Sequence, residues 1–313
     1  ILLRAFGISA WLAGFGGIIW AFSSYFFILI PAGHIWKFVT LAYIPPTIAG
    51  IVLAYRRKYL LGGIITALFI ALQIRSNHIQ MSYYFMFVIL FIIGAYFEEA
   101  YKKKELTHFF KASAILALAA MVGVCINLSN LYHTYEYSKE TMRGKSELKQ
   151  EGNAANQTSS GLDRDYITNW SYGIGETLTL LVPNVKGGAS SDNLSQSETA
   201  MEKANPMYSS IYSQFPQYFG DQPWTAGPVY VGAFVMFLFV LGCFIVKGPL
   251  KWALLGATIF SVLLSWGKNF MGLTDFFIDY VPMYNKFRAV SSILVIAEFT
   301  IPLLAIFALK EIL

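Results

Sequence analysis

Charged residues are scarce in this sequence, and their scarcity excludes an ordinary soluble domain. Asp, Glu, Lys and Arg together make up 13% of the 313 residues, whereas soluble domains carry about 25%. Hydrophobic residues make up 56%. We therefore expect a polytopic integral membrane protein. The net charge of +5 is interpreted through the side of the membrane on which the basic residues lie, and no nucleic-acid partner is expected.

Nucleotide-binding, hydrolase and metal-binding motifs are also lacking. No P-loop, GxSxG, HExxH or CxxC pattern occurs, and without a nucleotide motif an ATP-driven pump is disfavoured. The cysteines are few, Cys125 and Cys243, and both fall inside apolar segments. There they are expected to pack between helices rather than to form a disulfide or bind a metal. No metal site is predicted.

Apolar runs of about 20 residues, the length that crosses a bilayer, recur along the chain. Basic residues cluster in alternate loops, and the positive-inside rule assigns that side to the cytoplasm. Pro31, Pro45 and Pro46 are expected to break or kink helical segments. The eight predicted spans are residues 8–22, 35–55, 59–74, 78–97, 112–132, 229–246, 250–266 and 290–309.

One long polar stretch, residues 133–224, interrupts the apolar sequence. Its backbone groups would go unsatisfied in hydrocarbon, so a water-facing insert is expected. The alternation of basic loops places this insert outside the cytoplasm. The predicted division is therefore 1–132 and 228–313 as transmembrane helices, with 133–227 as the extracytoplasmic insert. The chain begins at Ile1 and ends at Leu313, and we expect it to be a fragment of a longer protein.

Two cations lie where the positive-inside rule disfavours them. Lys286 and Arg288 come just before the last span, at its outer end. They suit a phosphate or pyrophosphate headgroup, and contact with ordinary phospholipid headgroups is the alternative. Glu298 lies inside the last span, where an ionisable group is expensive. We expect Glu298 to pair within the bundle rather than to react.

The insert carries carboxylates beside aromatic residues. Asp163, Asp165, Tyr166 and Trp170 lie within eight positions of one another. Carboxylates accept hydrogen bonds from sugar hydroxyls, and aromatic rings cover the apolar face of a sugar. The same cluster also suits an ordinary packed extracellular domain, and for polar groups at helix ends simple interfacial solvation is the alternative.

Several separate strings resemble the YfhO family of bacterial membrane proteins, and most closely its long Bacteroidetes-type members. They are FSSYFFILIPAGHIWKFVTLAYIPPTIAG, SNHIQMSYY, TMRGKSEL, GLDRDYITNWSYGIGETLTLLVPN, GDQPWTAGPVYVGA and YNKFRAVSSILVI. The resemblance implies an all-α bundle of the GT-C-like kind, with about eight spans and a long outward-facing polar insert. It implies a multi-pass protein of the bacterial cytoplasmic membrane.

The resemblance also implies an activity, which is the transfer of a sugar from a polyprenyl-phosphate donor to a cell-envelope acceptor on the outer face. The alternatives are a transporter or flippase of lipid-linked saccharide, or a non-catalytic envelope scaffold. The expected partners are membrane lipids, the lipid-linked donor and an envelope glycopolymer or other acceptor. No cofactor is assigned, and whether a divalent metal assists stays open, as do the sugar, the acceptor and the oligomeric state.

The family strings supply candidate residues for binding donor and acceptor. Relatives with a GT-C-like architecture commonly place a catalytic carboxylate in the first outer loop, but residues 1–40 contain no Asp or Glu. The catalytic base is therefore unassigned and expected upstream of Ile1. The candidate binding residues are His34, Lys37, Asn77, His78, Gln80, Arg143, Asp163, Asp165, Tyr166, Trp170, Glu176, Trp224, Tyr230, Lys286 and Arg288.

Overall fold

The computed structural model is a helical bundle, and it describes residues 1–144, 158 and 161–313. Among these residues there is no β-strand, only two isolated bridges. The α-helices are α1 Leu2–Ala5, α2 Ala10–Ala21, α3 Ser24–Leu29, α4 Ile35–Tyr55, α5 Tyr59–Arg75, α6 Ile79–Lys102, α7 Leu106–Cys125, α8 Leu128–Lys139, α9 Arg164–Thr168, α10 Glu198–Lys203, α11 Ser209–Tyr212, α12 Ala233–Ile245, α13 Pro249–Ser265, α14 Met271–Tyr280 and α15 Val295–Ile312. Short 3₁₀ helices are Gly175–Leu180, Leu194–Gln196, Pro206–Tyr208, Gly267–Phe270, Tyr284–Lys286 and Val290–Leu294.

Several of these helices are long and apolar enough to cross a membrane, as expected for a multi-pass protein. In the described part there are five such helical stretches, or six if a pair bent by 107° counts as one span. Two further apolar helices, α5 and α12, have 17 and 13 residues. At about 1.5 Å per residue, α12 is about 20 Å long, short of a hydrocarbon core of about 30 Å. The count of eight spans stays a prediction. The five stretches are Ala10–Leu29, Ile35–Tyr55, Ile79–Lys102, Leu106–Cys125 and Val290–Ile312, and the bent pair is Pro249–Ser265 with Gly267–Tyr280.

The centre of the bundle is α15, which is apolar on all sides and buried from Val295 to Ala308. A helix that is hydrophobic all round belongs in the interior, and α15 packs against α2, α12 and α13. The hydroxyls of Thr258 and Thr300 join α13 to α15 at 2.7 Å. The remaining long helices surround this core.

Helix α4 is continuous, although it contains Pro45 and Pro46. The expected break at this pair is therefore not seen. Pro46 and the following turns of α4 are buried against neighbouring helices, and tertiary packing of this kind sustains a helix through residues of low helix propensity. The Thr47 hydroxyl also donates to the carbonyl of Tyr43 at 2.8 Å, which adds a side-chain hydrogen bond to this turn.

Glycines set the close packing of α4 on α5. A Cβ added to Gly62 would lie 2.6 Å from the carbonyl oxygen of Gly50, and one added to Gly50 would lie 2.8 Å from the carbonyl oxygen of Gly62. Both distances are too short for a carbon atom. Small residues on facing helices allow their backbones to approach closely in a membrane bundle, so any larger side chain would push these helices apart.

The polar insert packs against one end of the bundle, which we call the insert end. The amide of Tyr172 donates to the carbonyl of Ser265 at 2.8 Å, and the amide of Leu162 donates to the carbonyl of Asn285 at 3.0 Å. The indole of Trp266 donates to Thr177 at 2.9 Å. The described part of the insert is thus joined to the bent pair and to the turn before α15.

Candidate functional site

A cavity of about 390 Å³ lies at the insert end. It is bounded by the starts of α4 and α6, the insert, and the turn that leads into α15. The cavity brings together residues that are far apart in sequence. Eight of the fifteen candidate binding residues line it: His34, Lys37, His78, Gln80, Arg143, Trp170, Trp224 and Arg288.

The lining carries positive charge that no carboxylate of the described residues pairs with. Lys37, Arg143 and Arg288 line the cavity, and its described lining contains no carboxylate. Within residues 1–144, 158 and 161–313, none of these three forms an ion pair with Asp or Glu. Cations that face a cavity without a counter-ion favour an anionic ligand.

Arg288 is held by neutral groups. Its Nη1 donates to the hydroxyl of Tyr166 at 2.7 Å, and its guanidinium carbon lies 5.5 Å and 5.8 Å from the ring centres of Tyr166 and Trp170. The Gln80 side chain donates to its carbonyl at 2.7 Å. Cation–π contacts and a phenol orient the guanidinium without neutralising it. Tyr166 does not line the cavity itself and acts through Arg288.

Two tryptophans form the aromatic part of the lining. The indole N–H of Trp170 donates to the carbonyl of Trp224 at 3.1 Å, and the amide of Ser291 donates to the carbonyl of Trp170 at 3.0 Å. Trp224 is 44% exposed, so its ring is available to a ligand. Ring faces of this kind offer apolar contact to a sugar beside groups that bind its hydroxyls.

The surroundings of both lining histidines favour the neutral imidazole. Burial, reinforced by Lys37, lowers the pKa of His78 to about 4. Partial burial lowers the pKa of His34, and the positive charges of Lys37 and Arg288 lower it further. The Nδ1 atom of His78 is buried and has no hydrogen-bond partner among the described residues. A neutral imidazole can accept a hydrogen bond from a ligand hydroxyl at one ring nitrogen or donate one to a phosphate oxygen from the other.

Arg143 and Lys286 hold each other at the edge of the cavity. Nε of Arg143 donates to the carbonyl of Lys286 at 3.0 Å, and Nζ of Lys286 donates to the carbonyl of Arg143 at 2.6 Å. Partial burial lowers the pKa of Lys286. Lys286 does not line the cavity, and its side chain instead connects the turn before α15 to the beginning of the insert.

Glu176 is buried inside the insert and does not line this cavity. Its carboxylate accepts hydrogen bonds from the amide of Gly173 at 2.6 Å, the hydroxyl of Tyr218 at 2.5 Å and the amide of Asp221 at 3.3 Å. A buried carboxylate with three donors holds loops together. Its position in the fold is that of a structural residue.

The remaining candidates lie outside the described lining. Asn77 forms the turn between α5 and α6 with a φ of 56°, a conformation that Asn tolerates. The amide of Tyr230 donates to Ser24 at 2.7 Å, and its hydroxyl accepts from the first amide of α12 at 2.9 Å. Asp163 and Asp165 are exposed at the start of α9.

Some lining residues are absent from the candidates chosen by sequence. Tyr25 and Tyr172 line the cavity, as do Ser291 and Ser292, and the Tyr25 hydroxyl donates to the carbonyl of Ser292 at 3.2 Å. Their signal in the sequence is weak, because Tyr and Ser are ordinary residues at a membrane interface.

Glu298, expected to pair within the bundle, is 1% exposed and accepts a hydrogen bond from the Ser23 hydroxyl. Its hydrogen-bond partner is thus a hydroxyl, and no cation of the described residues pairs with it.

Comparison with known proteins gave no match: no protein-family model, no curated protein and no solved structure matches this chain. The geometry of the cavity and the sequence resemblance therefore carry the functional argument.

Proposed function

We propose that this protein is a membrane glycosyltransferase that takes a sugar from a polyprenyl-phosphate donor to a cell-envelope acceptor on the outer face of the bacterial cytoplasmic membrane. The observation that carries the proposal is the composition of the cavity at the insert end. Three cations, two histidines and two tryptophans line it, without a carboxylate in the described lining. These groups match a phosphate joined to a sugar.

The phosphate is assigned to Arg288 and Lys37. Arg288 presents a planar set of donors that suits phosphate oxygens. Lys37 lies in the first turn of α4 and adds a second cation. Both belong to the mouths of membrane-length helices, where a lipid phosphate lies while its polyprenyl chain stays in the bilayer.

The sugar is assigned to the region of Trp170 and Trp224. Their rings offer apolar contact, and the side chains of Gln80 and His78 offer hydrogen-bonding groups along the same lining. The convergence of these groups on one cavity supports an enzyme more than a scaffold, for which scattered polar groups are expected.

The proposed reaction is a single displacement. The acceptor oxygen forms a bond to the anomeric carbon, and the bond from that carbon to the phosphate oxygen breaks. The polyprenyl phosphate leaves with the electron pair, and the proton of the acceptor hydroxyl passes to a base. Arg288 and Lys37 stabilise the negative charge that grows on the departing phosphate. The anomeric configuration is inverted.

The sequence resemblance supports the finer parts of this proposal. The YfhO-like strings contain all eight candidate residues in the lining, including Arg143 in the string TMRGKSEL. A GT-C-like arrangement, eight spans and an outward-facing insert belong to the same proposal.

The test uses the full-length protein in liposomes with a radiolabelled polyprenyl-phosphate sugar and an envelope extract as acceptor. We compare Arg288→Gln and Lys37→Gln with a matched control, Arg75→Gln. Arg75 is an exposed cation at the insert-end terminus of α5 that does not line the cavity. Loss of a charged hydrogen bond to the donor corresponds to about 10- to 100-fold. We expect that loss in kcat/KM for the two lining variants and a change below about twofold for the control.

Three outcomes contradict the proposal. Equal activity in all three variants removes the assignment of the phosphate to Arg288 and Lys37. Movement of labelled lipid between leaflets, without transfer to the extract, favours a flippase. Neither transfer nor movement, with donor binding absent by equilibrium dialysis, favours the envelope scaffold.

A further inference from the structure

A second cavity, of about 400 Å³, lies at the opposite end of the bundle. We call this the basic end, because it carries Arg56, Arg57 and Lys58 after α4 and a further group of lysines after α6. The cavity lies between the ends of α4 and α6 and the beginning of α7. Since α4 rises about 1.5 Å per residue, its 21 residues separate this cavity from the first by about 30 Å.

One of the three cations that line this second cavity has no carboxylate partner among the described residues. Arg57 pairs with Glu105 at 2.8 Å, and Lys103 pairs with Glu99 at 2.5 Å. Arg56 also lines the cavity but forms no ion pair in the part of the chain that the structure describes. Three cations and two carboxylates give a net charge of +1. The described lining therefore suits a ligand with a single negative charge.

The guanidinium of Arg56 rests on the backbone. Its Nη1 donates to the carbonyl of Ala5 at 2.5 Å, the one hydrogen bond of this side chain among the described residues. A Cβ on Gly7, whose φ is 80°, would lie 3.1 Å from Nη1, so glycine leaves room for the guanidinium. An arginine has five N–H donors, and the hydrogen bond to Ala5 uses one of them.

An exposed aromatic surface adjoins the cavity. Phe109 lines it, and its ring centre lies 5.3 Å from that of Phe97 and 5.5 Å from that of Phe110. Phe97, Tyr101 and Phe110 are 44%, 67% and 60% exposed. All three lie on α6 or α7, which are of membrane length. A cation in a recess beside apolar surface fits an amphiphile.

We propose that the cavity at the basic end binds the phosphodiester headgroup of a monoanionic membrane phospholipid. The phosphate lies on Arg56, and the acyl chains lie along the aromatic surface of α6 and α7. Arginine binds phosphate oxygens through two parallel N–H donors, and basic recesses between transmembrane helices hold anionic headgroups. This site is independent of the proposed transferase reaction.

The test measures lipids retained by the full-length protein after purification from nanodiscs, by native mass spectrometry. The nanodiscs contain phosphatidylglycerol and phosphatidylcholine in equal amounts. We compare the wild type with Arg56→Gln and with Lys58→Gln, a neighbouring exposed cation that does not line the cavity. We expect the wild type to prefer phosphatidylglycerol, Arg56→Gln to weaken its binding by about tenfold or more, and Lys58→Gln to change it by less than about twofold.

The outcomes separate a site from general attraction. Equal losses in Arg56→Gln and Lys58→Gln overturn the proposal, because surface potential alone would then explain retention. A wild type without preference for phosphatidylglycerol overturns it whether or not the variants fold. Glycerol 3-phosphate or inorganic phosphate that displaces the lipid at equal concentration overturns the lipid assignment and indicates a soluble phosphate ligand.

Discussion

Substitution of Glu176, which does not line the cavity, should loosen the insert. Glu176 is 2% exposed, and its carboxylate accepts three hydrogen bonds that join the segments around Gly173, Tyr218 and Asp221. Both carboxylate oxygens of Glu176 accept hydrogen bonds. In Glu176→Gln an NH₂ group, which can only donate, replaces one of these oxygens. At least one buried donor is then left without a partner.

The magnitude follows from the number of bonds. A hydrogen bond to a charged group contributes about 1.5–3 kcal/mol. Glu176→Gln loses one or two of these bonds and buries an amide against a donor. We therefore expect it to lower the free energy of unfolding by about 2–5 kcal/mol. Glu176→Ala removes all three acceptor contacts and should cost at least as much. A loss of stability of this size exceeds the change that a surface substitution usually causes.

The assay is tryptic digestion at Lys186 together with the thermal unfolding midpoint in detergent. The carbonyl of Lys186 accepts a hydrogen bond from the amide of Phe219 at 3.0 Å, so local opening near Tyr218 exposes this cleavage site. We expect faster cleavage and a lower midpoint in Glu176→Gln. The control is Glu198→Gln, an exposed carboxylate of the insert. The same cleavage rate in both variants would refute the structural role of Glu176.

Three further predictions concern pH, the insert junction and helix packing. The pKa of His78 falls from 6.5 to about 4 on folding, so the unfolded chain binds the proton first as pH falls. The apparent stability should then decline between pH 6.5 and about 4 by up to about 3 kcal/mol, and His78→Gln should remove that part of the pH dependence of the melting midpoint. Arg164→Leu should lower the midpoint by the equivalent of about 1–3 kcal/mol, because Arg164 pairs with Asp275 at 2.8 Å and Asp279 at 2.7 Å; an unchanged midpoint would show that these half-exposed pairs contribute little. Gly62→Val should reduce the yield of monodisperse protein in detergent, since any Cβ there meets the backbone of α4, whereas Gly272→Ala, where a Cβ meets nothing within 4 Å, should not.

The membrane class could be predicted because it depends on local composition. A run of about 20 apolar residues forms a helix in lipid whatever surrounds it. The helices α4, α6 and α15 correspond to the predicted spans 35–55, 78–97 and 290–309. Four of their six ends lie within three residues of the predicted ends, and the other two lie five residues away. Lengths near the limit are less predictable, since α12 has 13 residues whereas the span predicted there, residues 229–246, has 18.

The cavity depended on contacts between residues far apart along the chain. Arg288 meets Tyr166 across 122 positions, and Gln80 meets the Arg288 carbonyl across 208 positions. Local patterns marked these residues as candidates, but they could not separate Arg288, which faces the cavity, from Glu176, which is buried in the insert. That choice is made by packing: a side chain faces a cavity or a core according to which segments meet around it, and only the tertiary structure brings those segments together.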